Sequence, residues 1–286
     1  MRDLNEGTLT NETIRAVTGG SDKRISQVSE ALVRHLHAFI REIEPSQAEW
    51  EYGIKFLTRV GKQCSDTRQE FILLSDTLGV SMLVDAINHR QSEGATETTV
   101  FGPFYVENRP QLPLGANMSP DETGTPLFVS GTVRALDGQP IAGALVDAWH
   151  SDEVGHYDVQ VGDDLRMRAL FRSDAEGRFW FWTVRPTFYP IPNDGPVGDM
   201  LAAQGRHPYR PEHVHFMISA PGQQTLVTHL FIDNDPYLDS DVVFGVKNSL
   251  ITDYSRHDAG TAPDGSTCHR DFLTLNYDFV LNPEAE

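Results

Sequence analysis

The chain has 286 residues, of which 39% are hydrophobic, and this allows a large core with an appended segment. Its formal net charge of −18 at pH 7 argues against nucleic acid and anionic membrane as partners, because both are polyanions that would repel it. Cys64 and Cys268 are the two cysteines, and their spacing matches neither a disulfide framework nor a zinc ribbon. The sequence shows no signal-like or membrane-spanning segment, so we expect a cytoplasmic protein.

The N-terminal third begins with the pattern of an amphipathic helix between Asp22 and Ile43. Apolar residues recur there at three- and four-residue intervals, which places them on one helical face. They are Ile25, Val28, Leu32, Leu36, Phe39 and Ile43. Pro45 then ends this helix.

Three further helices are predicted before the pattern changes. Ser46 and Glu49 have the spacing of a capping box, which starts a second helix that continues through Val60. Ser65 is a candidate cap for a third helix over 65–79, and a fourth is predicted over 80–89. We therefore expect a helical N-terminal part.

From Leu127 onward the hydrophobic period is two, which predicts β-strands. Strands are predicted over 127–135, 143–150, 166–174, 178–186, 213–220, 225–232 and 270–281. Turn residues separate them at 137–138, 175–177 and 221–222. Many strands with short turns and no interleaved helices favour an antiparallel sandwich over a parallel α/β sheet. The predicted fold is mainly β, with a helical dimerisation or linker region over 1–105 and an antiparallel β-sandwich catalytic domain over 106–286.

Two histidines and two tyrosines in this region are candidate metal ligands. His213 and His215 are separated by one residue in a predicted strand, so both imidazoles project from the same face. Such a pair alone is weak evidence, because most are surface or packed histidines. Tyr157 and Tyr189 lie in turn-like and proline-rich stretches with no amphipathic pattern, where packing explains them poorly. Phenolate oxygen requires a hard, highly charged cation, so the four residues together predict a ferric iron site.

These residues lie within four motifs, PIAGALVDAWHSDEVGHYD, TFYPIPNDGPVG, GRHPYRPEHVHF and THLF. The motifs occur in the order seen in intradiol ring-cleaving dioxygenases, and the chain resembles that family from about Leu73 onward. The resemblance implies one Fe(III) per subunit and, as substrates, O2 and a small aromatic diol or triol cleaved between its hydroxylated carbons. The motifs are most similar to those of members that cleave hydroxyquinol, with catechol- and chlorocatechol-cleaving members as the alternative.

The resemblance also implies roles for three residues around the iron. Tyr189 is the ligand expected to leave the metal when substrate binds, so it is both a ligand and a catalytic residue. Arg210 is expected to point into the pocket and stabilise negative charge, with a surface salt bridge as its alternative. His229 stands where catechol-cleaving relatives carry glutamine, and a role next to the ligands competes there with core packing.

For the pocket wall the resemblance implies ten residues, most of them apolar, as suits a flat ring. They are Leu73, Asp76, Val100, Phe101, Gly102, Pro103, Phe104, Ile191, Pro192 and Val243. Asp76 lies among apolar residues of a predicted helix and is placed to accept a hydrogen bond from a third ring hydroxyl. The alternative is that Asp76 faces solvent.

The helical region has two possible partners for its apolar stripe. The resemblance implies a homodimer joined through these helices, with lipid acyl chains held between them. A helical cap that buries the stripe on its own sandwich is the alternative. A different class of function, a metal-free β-sandwich binding module, also stays open. A cupin-type oxygenase is disfavoured, because residues 216–220 supply no carboxylate after the two histidines.

Overall fold

The computed structural model describes residues 2–65, 68–120, 123–162 and 164–284. The chain divides into two compact units, Met1–Arg59 and Val60–Glu286. The division into 1–105 and 106–286 stays a prediction, because compactness alone does not assign a role to either part. In the described part of the chain, no helix combines the length and the hydropathy that crossing a membrane requires.

The first unit is helical, as predicted, but contains one helix that the sequence did not indicate. Its helices are α1 (Leu9–Val17), α2 (Lys23–Ile43) and most of α3 (Gln47–Gln63). Asp22 caps α2 by accepting hydrogen bonds from the backbone N–H groups of Arg24 and Ile25 at 2.8 and 2.9 Å. The predicted capping box of α3 is confirmed, with Ser46 and Glu49 bonding each other's backbone N–H groups.

The apolar stripe of α2 faces outward within this unit. Its six residues have between 50% and 63% of their surface exposed. Trp50, Ile54 and Leu57 of α3 are exposed to a similar degree. Exposed apolar residues on one face of a helix are typical of a surface that contacts another molecule.

The second unit contains the end of α3, followed by α4 (Glu70–Thr77) and α5 (Val80–Asn88). The prediction that Ser65 caps α4 is wrong, because the helix starts five residues later and Gln69 is its cap residue. Ser65 instead accepts a hydrogen bond from the backbone N–H of Arg68 at 3.1 Å. Two further helices, α6 (Asp158–Val161) and α7 (Pro196–Ala203), lie between strands, where the sequence predicted none.

Two five-stranded sheets form the body of this unit. The strands are β1 (Pro126–Ala135), β2 (Leu145–Trp149), β3 (Arg168–Arg172), β4 (Arg178–Val184), β5 (Tyr189–Pro190), β6 (Tyr209–Arg210), β7 (His213–Ser219), β8 (Leu226–Ile232), β9 (Ile251–Thr252), β10 (Ser255–His257), β11 (Gly260–Thr261), β12 (Thr267–Cys268), β13 (Phe272–Asn276) and β14 (Phe279–Leu281). One sheet has the order β3-β2-β7-β8-β9, and we call it the ligand sheet because β7 carries the two histidines. The other sheet is built around β1.

The predicted sandwich is confirmed, but its sheets are mixed rather than antiparallel. In the second sheet β4 pairs antiparallel with β1, while β13 and β14 pair parallel with it in succession. In the ligand sheet β8 and β9 are also parallel. The single strand predicted over 270–281 is therefore two strands, separated at Tyr277–Asp278. Periodicity did not reveal the parallel pairs, because parallel and antiparallel half-buried strands share the same alternation.

The hydrophobic core lies between the two sheets. Alternate residues of β7, namely Val214, Phe216 and Ile218, join one buried cluster with residues of β1 and β4. Within it the rings of Phe171 and Phe181 stack with centroids 4.6 Å apart. Burial of Phe216 on β7 contributes about 1.5–3 kcal/mol to folding, which favours the register that turns the other face of β7 away from the core.

Candidate metal centre

His213 and His215 occupy the face of β7 opposite the sandwich core, as their spacing predicted. Both are almost fully buried. Across the sheet His215 is in register with Trp149 on β2 and with His229 on β8. The indole of Trp149 stacks on the imidazole of His215 with centroids 4.7 Å apart and planes 15° apart. This cross-strand row holds the ring of His215 in one orientation.

Tyr157 is positioned by the start of helix α6. It is the cap residue, and its backbone N–H donates to Oε1 of Gln160 at 2.8 Å. The next residue, Asp158, accepts a hydrogen bond from Nε of Arg168 on β3 at 2.6 Å, with both side chains buried. Nη1 of Arg168 also donates to the carbonyl of Phe104 at 3.0 Å, and the Phe104 ring stacks on Tyr157 with centroids 4.4 Å apart. A buried ion pair therefore ties this tyrosine to both the sheet and the segment above it.

Tyr189 reaches the same place from a two-residue ribbon. It lies on β5, directly opposite Arg210 on β6. The phenol oxygens of Tyr157 and Tyr189 are 3.4 Å apart. Both tyrosines are buried, and their two phenol groups lie together beside the two histidines.

The four donor atoms converge. The Tyr157 hydroxyl lies 2.8 Å from Nε2 of His215 and 3.4 Å from Nε2 of His213, and the two Nε2 atoms are 3.1 Å apart. These separations are those of atoms arranged around a common point. The structure therefore brings together all four residues that the sequence nominated as ligands.

The histidines are held in the state that binds a metal. Burial and the nearby Arg210 guanidinium lower the pKa of His213 well below its ordinary value, and burial lowers that of His215 similarly. Nδ1 of His213 donates to the carbonyl of Pro211 at 2.7 Å, so its Nε2 carries the lone pair that faces the cluster. A neutral imidazole with a fixed tautomer is the form required of a metal ligand.

The tyrosines indicate which metal fits. Burial raises the pKa of Tyr157 well above its ordinary value and also raises that of Tyr189. Burial thus favours the neutral phenols. A highly charged cation between the two oxygens would favour the phenolates instead, because it stabilises their negative charge directly. Two hard anionic oxygens with two imidazole nitrogens suit ferric iron better than a divalent, softer ion. The donor set thus fits Fe(III).

His229 offers a rival arrangement of three histidines. The ligand atoms of His213, His215 and His229 lie within 4.8 Å of one another. However, the Tyr157 hydroxyl lies against Nε2 of His213 and His215, whereas Nδ1 of His229 lies 3.4 Å from a guanidinium nitrogen of Arg210. The imidazole stacks on that of His213 with centroids 4.8 Å apart. These contacts fit a role beside the ligands better than ligation.

Arg210 is buried at the site and is not part of a surface salt bridge. Its side chain is 3% exposed, and Nη1 lies 3.3 Å from Nε2 of His213. Asp241 provides its counter-charge, with Oδ1 3.1 Å from Nε. The sequence did not nominate Asp241, because 31 residues separate it from Arg210 and no local pattern links them.

Several predicted wall residues surround this cluster. Gly102 has a φ of +78° and lies so close to His215 that a Cβ atom would stand 3.0 Å from the imidazole Cε1. Four others form one buried apolar cluster, namely Leu73, Val100, Ile191 and Val243. Phe104 covers Tyr157, as described above. These six residues have the burial or contacts expected of a pocket wall.

Asp76 is buried rather than solvent-facing, with 7% of its surface exposed. Burial raises the pKa of this carboxyl, while a hydrogen bond with Ser81 and the charge of Arg210 act in the opposite direction. Phe101 is partly exposed and packs on Trp149 with centroids 5.9 Å apart. The remaining two wall residues, Pro103 and Pro192, are exposed and half-buried respectively, and their part in the pocket stays a prediction.

Comparisons with known proteins agree with this geometry. The Dioxygenase family model matches residues 100–283, and the Catechol dioxygenase N terminus model matches residues 22–96. The 6-chlorohydroxyquinol 1,2-dioxygenase of Cupriavidus pinatubonensis is 48% identical over 99% of both chains. The hydroxyquinol 1,2-dioxygenase of a Rhizobium species is 48% identical over 91% of this chain and 90% of its own. The crystal structure of hydroxyquinol 1,2-dioxygenase from Pseudomonas putida superposes with a TM-score of 0.92 at 47% identity, over 98% of this chain and 99% of that one. The chain therefore belongs to the intradiol ring-cleaving dioxygenases.

Proposed function

We propose that this chain binds one Fe(III) per subunit and cleaves hydroxyquinol (1,2,4-trihydroxybenzene) with O2 between its vicinal hydroxylated carbons. The product is 3-hydroxy-cis,cis-muconate or its tautomer maleylacetate. The convergence of the Tyr157, Tyr189, His213 and His215 donor atoms carries this proposal. Non-haem iron is the metal of this family, and free Cys64 and Cys268 support a reducing, cytoplasmic location.

The residues around the iron would have separate roles in proton transfer, charge stabilisation and substrate positioning. Ferric iron held by Tyr157, Tyr189, His213 and His215 would supply Lewis-acid activation of the vicinal diol toward O2. Tyr189 would accept a proton from a substrate hydroxyl at its phenolate oxygen. Arg210 would hydrogen-bond the ring oxygen that gains negative charge as the ring takes on keto character. The apolar wall around Val100 and Ile191 would hold the ring flat and exclude water.

The choice of hydroxyquinol over catechol is supported by Asp76 and by the relatives. Asp76 is a buried carboxyl near Arg210, in the helix that also supplies Leu73 to the wall cluster. A buried acceptor favours a substrate that can donate a hydrogen bond to it and disfavours one that cannot. The two similar enzymes reported above carry hydroxyquinol or its 6-chloro derivative in their names, so both compounds belong in the assay.

We expect Asp76→Ala to lower kcat/KM for hydroxyquinol about 10- to 100-fold more than for catechol, since a hydrogen bond to a charged group contributes about 1.5–3 kcal/mol. Steady-state oxygen uptake with both substrates measures this difference. The control is Asp85→Ala, which removes a buried carboxylate from the neighbouring helix α5. Equal losses for both substrates in Asp76→Ala would contradict the assignment.

The visible absorption spectrum of the purified protein tests the iron site directly. We expect a broad tyrosinate-to-iron charge-transfer band that shifts when hydroxyquinol is added without oxygen, because the substrate changes the ligands of the metal. A shift with hydroxyquinol followed by ring cleavage on admission of oxygen supports the proposal. A protein that stays colourless after reconstitution with ferric iron would favour the metal-free binding module. Faster turnover of catechol or chlorocatechol would favour those activities instead.

We further propose that the chain forms a homodimer through its N-terminal helices, with lipid acyl chains bound between them. The exposed apolar stripe of α2 supports this, together with exposed Trp50, Ile54 and Leu57 on α3. Burying such a surface in a dimer interface favours association by about 25 cal/mol of free energy for each Å² of apolar area removed from water. Mass spectrometry of an organic extract tests for the lipid.

We expect the double substitution Leu32→Glu and Leu36→Glu to convert the dimer to a monomer, because it places two charges in the stripe. Sedimentation equilibrium gives the mass. Gln27→Glu, on the opposite face of the same helix, is the control and should leave the dimer intact. A wild-type protein with the mass of one subunit at all concentrations would overturn the dimer proposal.

A further inference from the structure

Asp241 and Arg210 form an ion pair inside the site. Their side chains are 2% and 3% exposed, so neither charge is screened by solvent. Oδ1 lies 3.1 Å from Nε and Oδ2 lies 3.2 Å from Nη2, which makes the contact bidentate. A bidentate carboxylate restricts the plane of the guanidinium as well as its position. Asp241 thus determines which way Arg210 points.

The same carboxylate shapes the chain segment that follows it. It accepts hydrogen bonds from the backbone N–H groups of Gly245 at 2.9 Å and Val243 at 3.4 Å. The carbonyl of Gly245 in turn accepts a hydrogen bond from Oγ1 of Thr99 at 2.7 Å, next to Val100. Val243 and Val100 are both wall residues in the apolar cluster. Asp241 therefore links the guanidinium to two parts of the pocket wall.

On its other side Arg210 faces the metal centre. Nη1 lies 3.3 Å from Nε2 of His213, and Nη2 lies 3.4 Å from Nδ1 of His229. Its neighbours on this side are two imidazoles, whereas Asp241 supplies a carboxylate. Gly245 packs so closely that a Cβ there would stand 2.9 Å from Nη2. The guanidinium is thus held between Asp241 with its loop and the histidines.

We propose that Asp241 is a positioning residue, which holds Arg210 in the orientation needed for ring cleavage. This inference rests on the proposed function. Asp241 acts through Arg210 and does not itself touch the substrate. Without its counter-charge, a long and flexible side chain loses the contact that selects one rotamer, and the hydrogen bond to the reacting ring becomes weaker.

A double-mutant cycle separates this role from a merely structural one. At equal iron content, Asp241→Asn should lower kcat for hydroxyquinol at least about tenfold, while the Kd measured without oxygen changes less than about threefold. In the Arg210→Met background the same substitution should change kcat less than about twofold, because the residue through which it acts is gone. An equal loss of kcat in both backgrounds would overturn the proposal, and so would an unchanged kcat in the single variant.

A second variant disturbs the pair without removing a charge. Gly245→Ala places a methyl group against Nη2 of Arg210, so kcat should fall while the Kd for hydroxyquinol is retained. Asp85→Asn, which alters another buried aspartate with hydrogen bonds, should leave kcat unchanged. A fall in kcat for Asp85→Asn equal to that for Asp241→Asn would assign the effect to general destabilisation and refute the proposal. The spectrum and turnover of the wild-type protein test the proposed function independently of these variants. Failure of the proposed function can therefore be distinguished from failure of the Asp241 proposal.

Discussion

Replacing Tyr157 with phenylalanine is expected to give a protein that retains little ferric iron and cleaves hydroxyquinol at least about 1,000-fold more slowly. Loss of a ligand's outer hydrogen-bond partner costs roughly 10- to 100-fold, and loss of the ligand itself costs more. The substitution removes one of the two proposed anionic ligands, the hydroxyl that lies 2.8 Å from Nε2 of His215. The remaining donors then stabilise the ferric charge much less well. Metal analysis and the visible spectrum measure the loss, alongside turnover.

The control for this substitution is Tyr254→Phe. Tyr254 is a partly buried tyrosine outside the cluster, and its hydroxyl donates to Glu212 at 2.5 Å. Glu212 keeps its ion pair with Arg185 when that hydroxyl is removed, so iron content and turnover should stay near wild type. Full iron occupancy in Tyr157→Phe would exclude this tyrosine as a ligand. The three-histidine arrangement with His229 would then become the better description of the site.

Arg210→Met is expected to lower kcat for hydroxyquinol about 100- to 1,000-fold, the range found when a hydrogen-bond donor to developing negative charge is removed. Methionine retains much of the length and apolar surface of arginine but carries no donor. Anaerobic binding of hydroxyquinol and its spectral shift should persist, because the iron ligands are unchanged. Stopped-flow measurement of ring cleavage after rapid mixing with oxygen separates this step from binding.

The substitution also leaves Asp241 buried without its partner, which costs about 3–5 kcal/mol of folding free energy. Thermal unfolding must therefore be measured beside kcat. Arg68→Met, which breaks the ion pair with buried Glu70, provides a comparison for loss of stability without loss of a group at the site. If Arg210→Met and Arg68→Met reduce kcat equally, Arg210 has no catalytic role of its own.

The convergence of the four candidate ligands could be predicted from the sequence because each of these residues stands in a local pattern. Alternation in β7 places His213 and His215 on one face, and the core residues between them confirm that face. Tyr157 and Tyr189 were conspicuous because each stands in a segment without an amphipathic pattern to serve. Helix α2 and the capping box of α3 could also be predicted, because both depend on residues only three or four positions apart in the sequence.

Features that depend on distant contacts could not be predicted in the same way. Asp241 gains its role only when Arg210 is brought to it, and its own neighbours in the sequence give no sign of that. Trp149 is a site residue because β2 and β7 pair in one register, which sequence alternation does not specify. Helix α1 has only nine residues and no side-chain hydrogen bond at its cap, so it lacked the usual start signal. Helix α7 starts at Pro196 after a glycine, and this pair of residues is also common in turns.

The pairing of β1 has a consequence for the order in which the molecule can fold. The ligand sheet is assembled entirely from residues 145–252, so all its strand pairs can form within one continuous stretch of chain. In contrast, β1 pairs with β13 and β14, which places Leu127 opposite Leu273 and requires a much larger loop to close. Closing such a loop costs chain entropy before any contact is gained, so it belongs to a late step. The strands that carry the two histidines can thus be paired while the second sheet still lacks one side of its central strand.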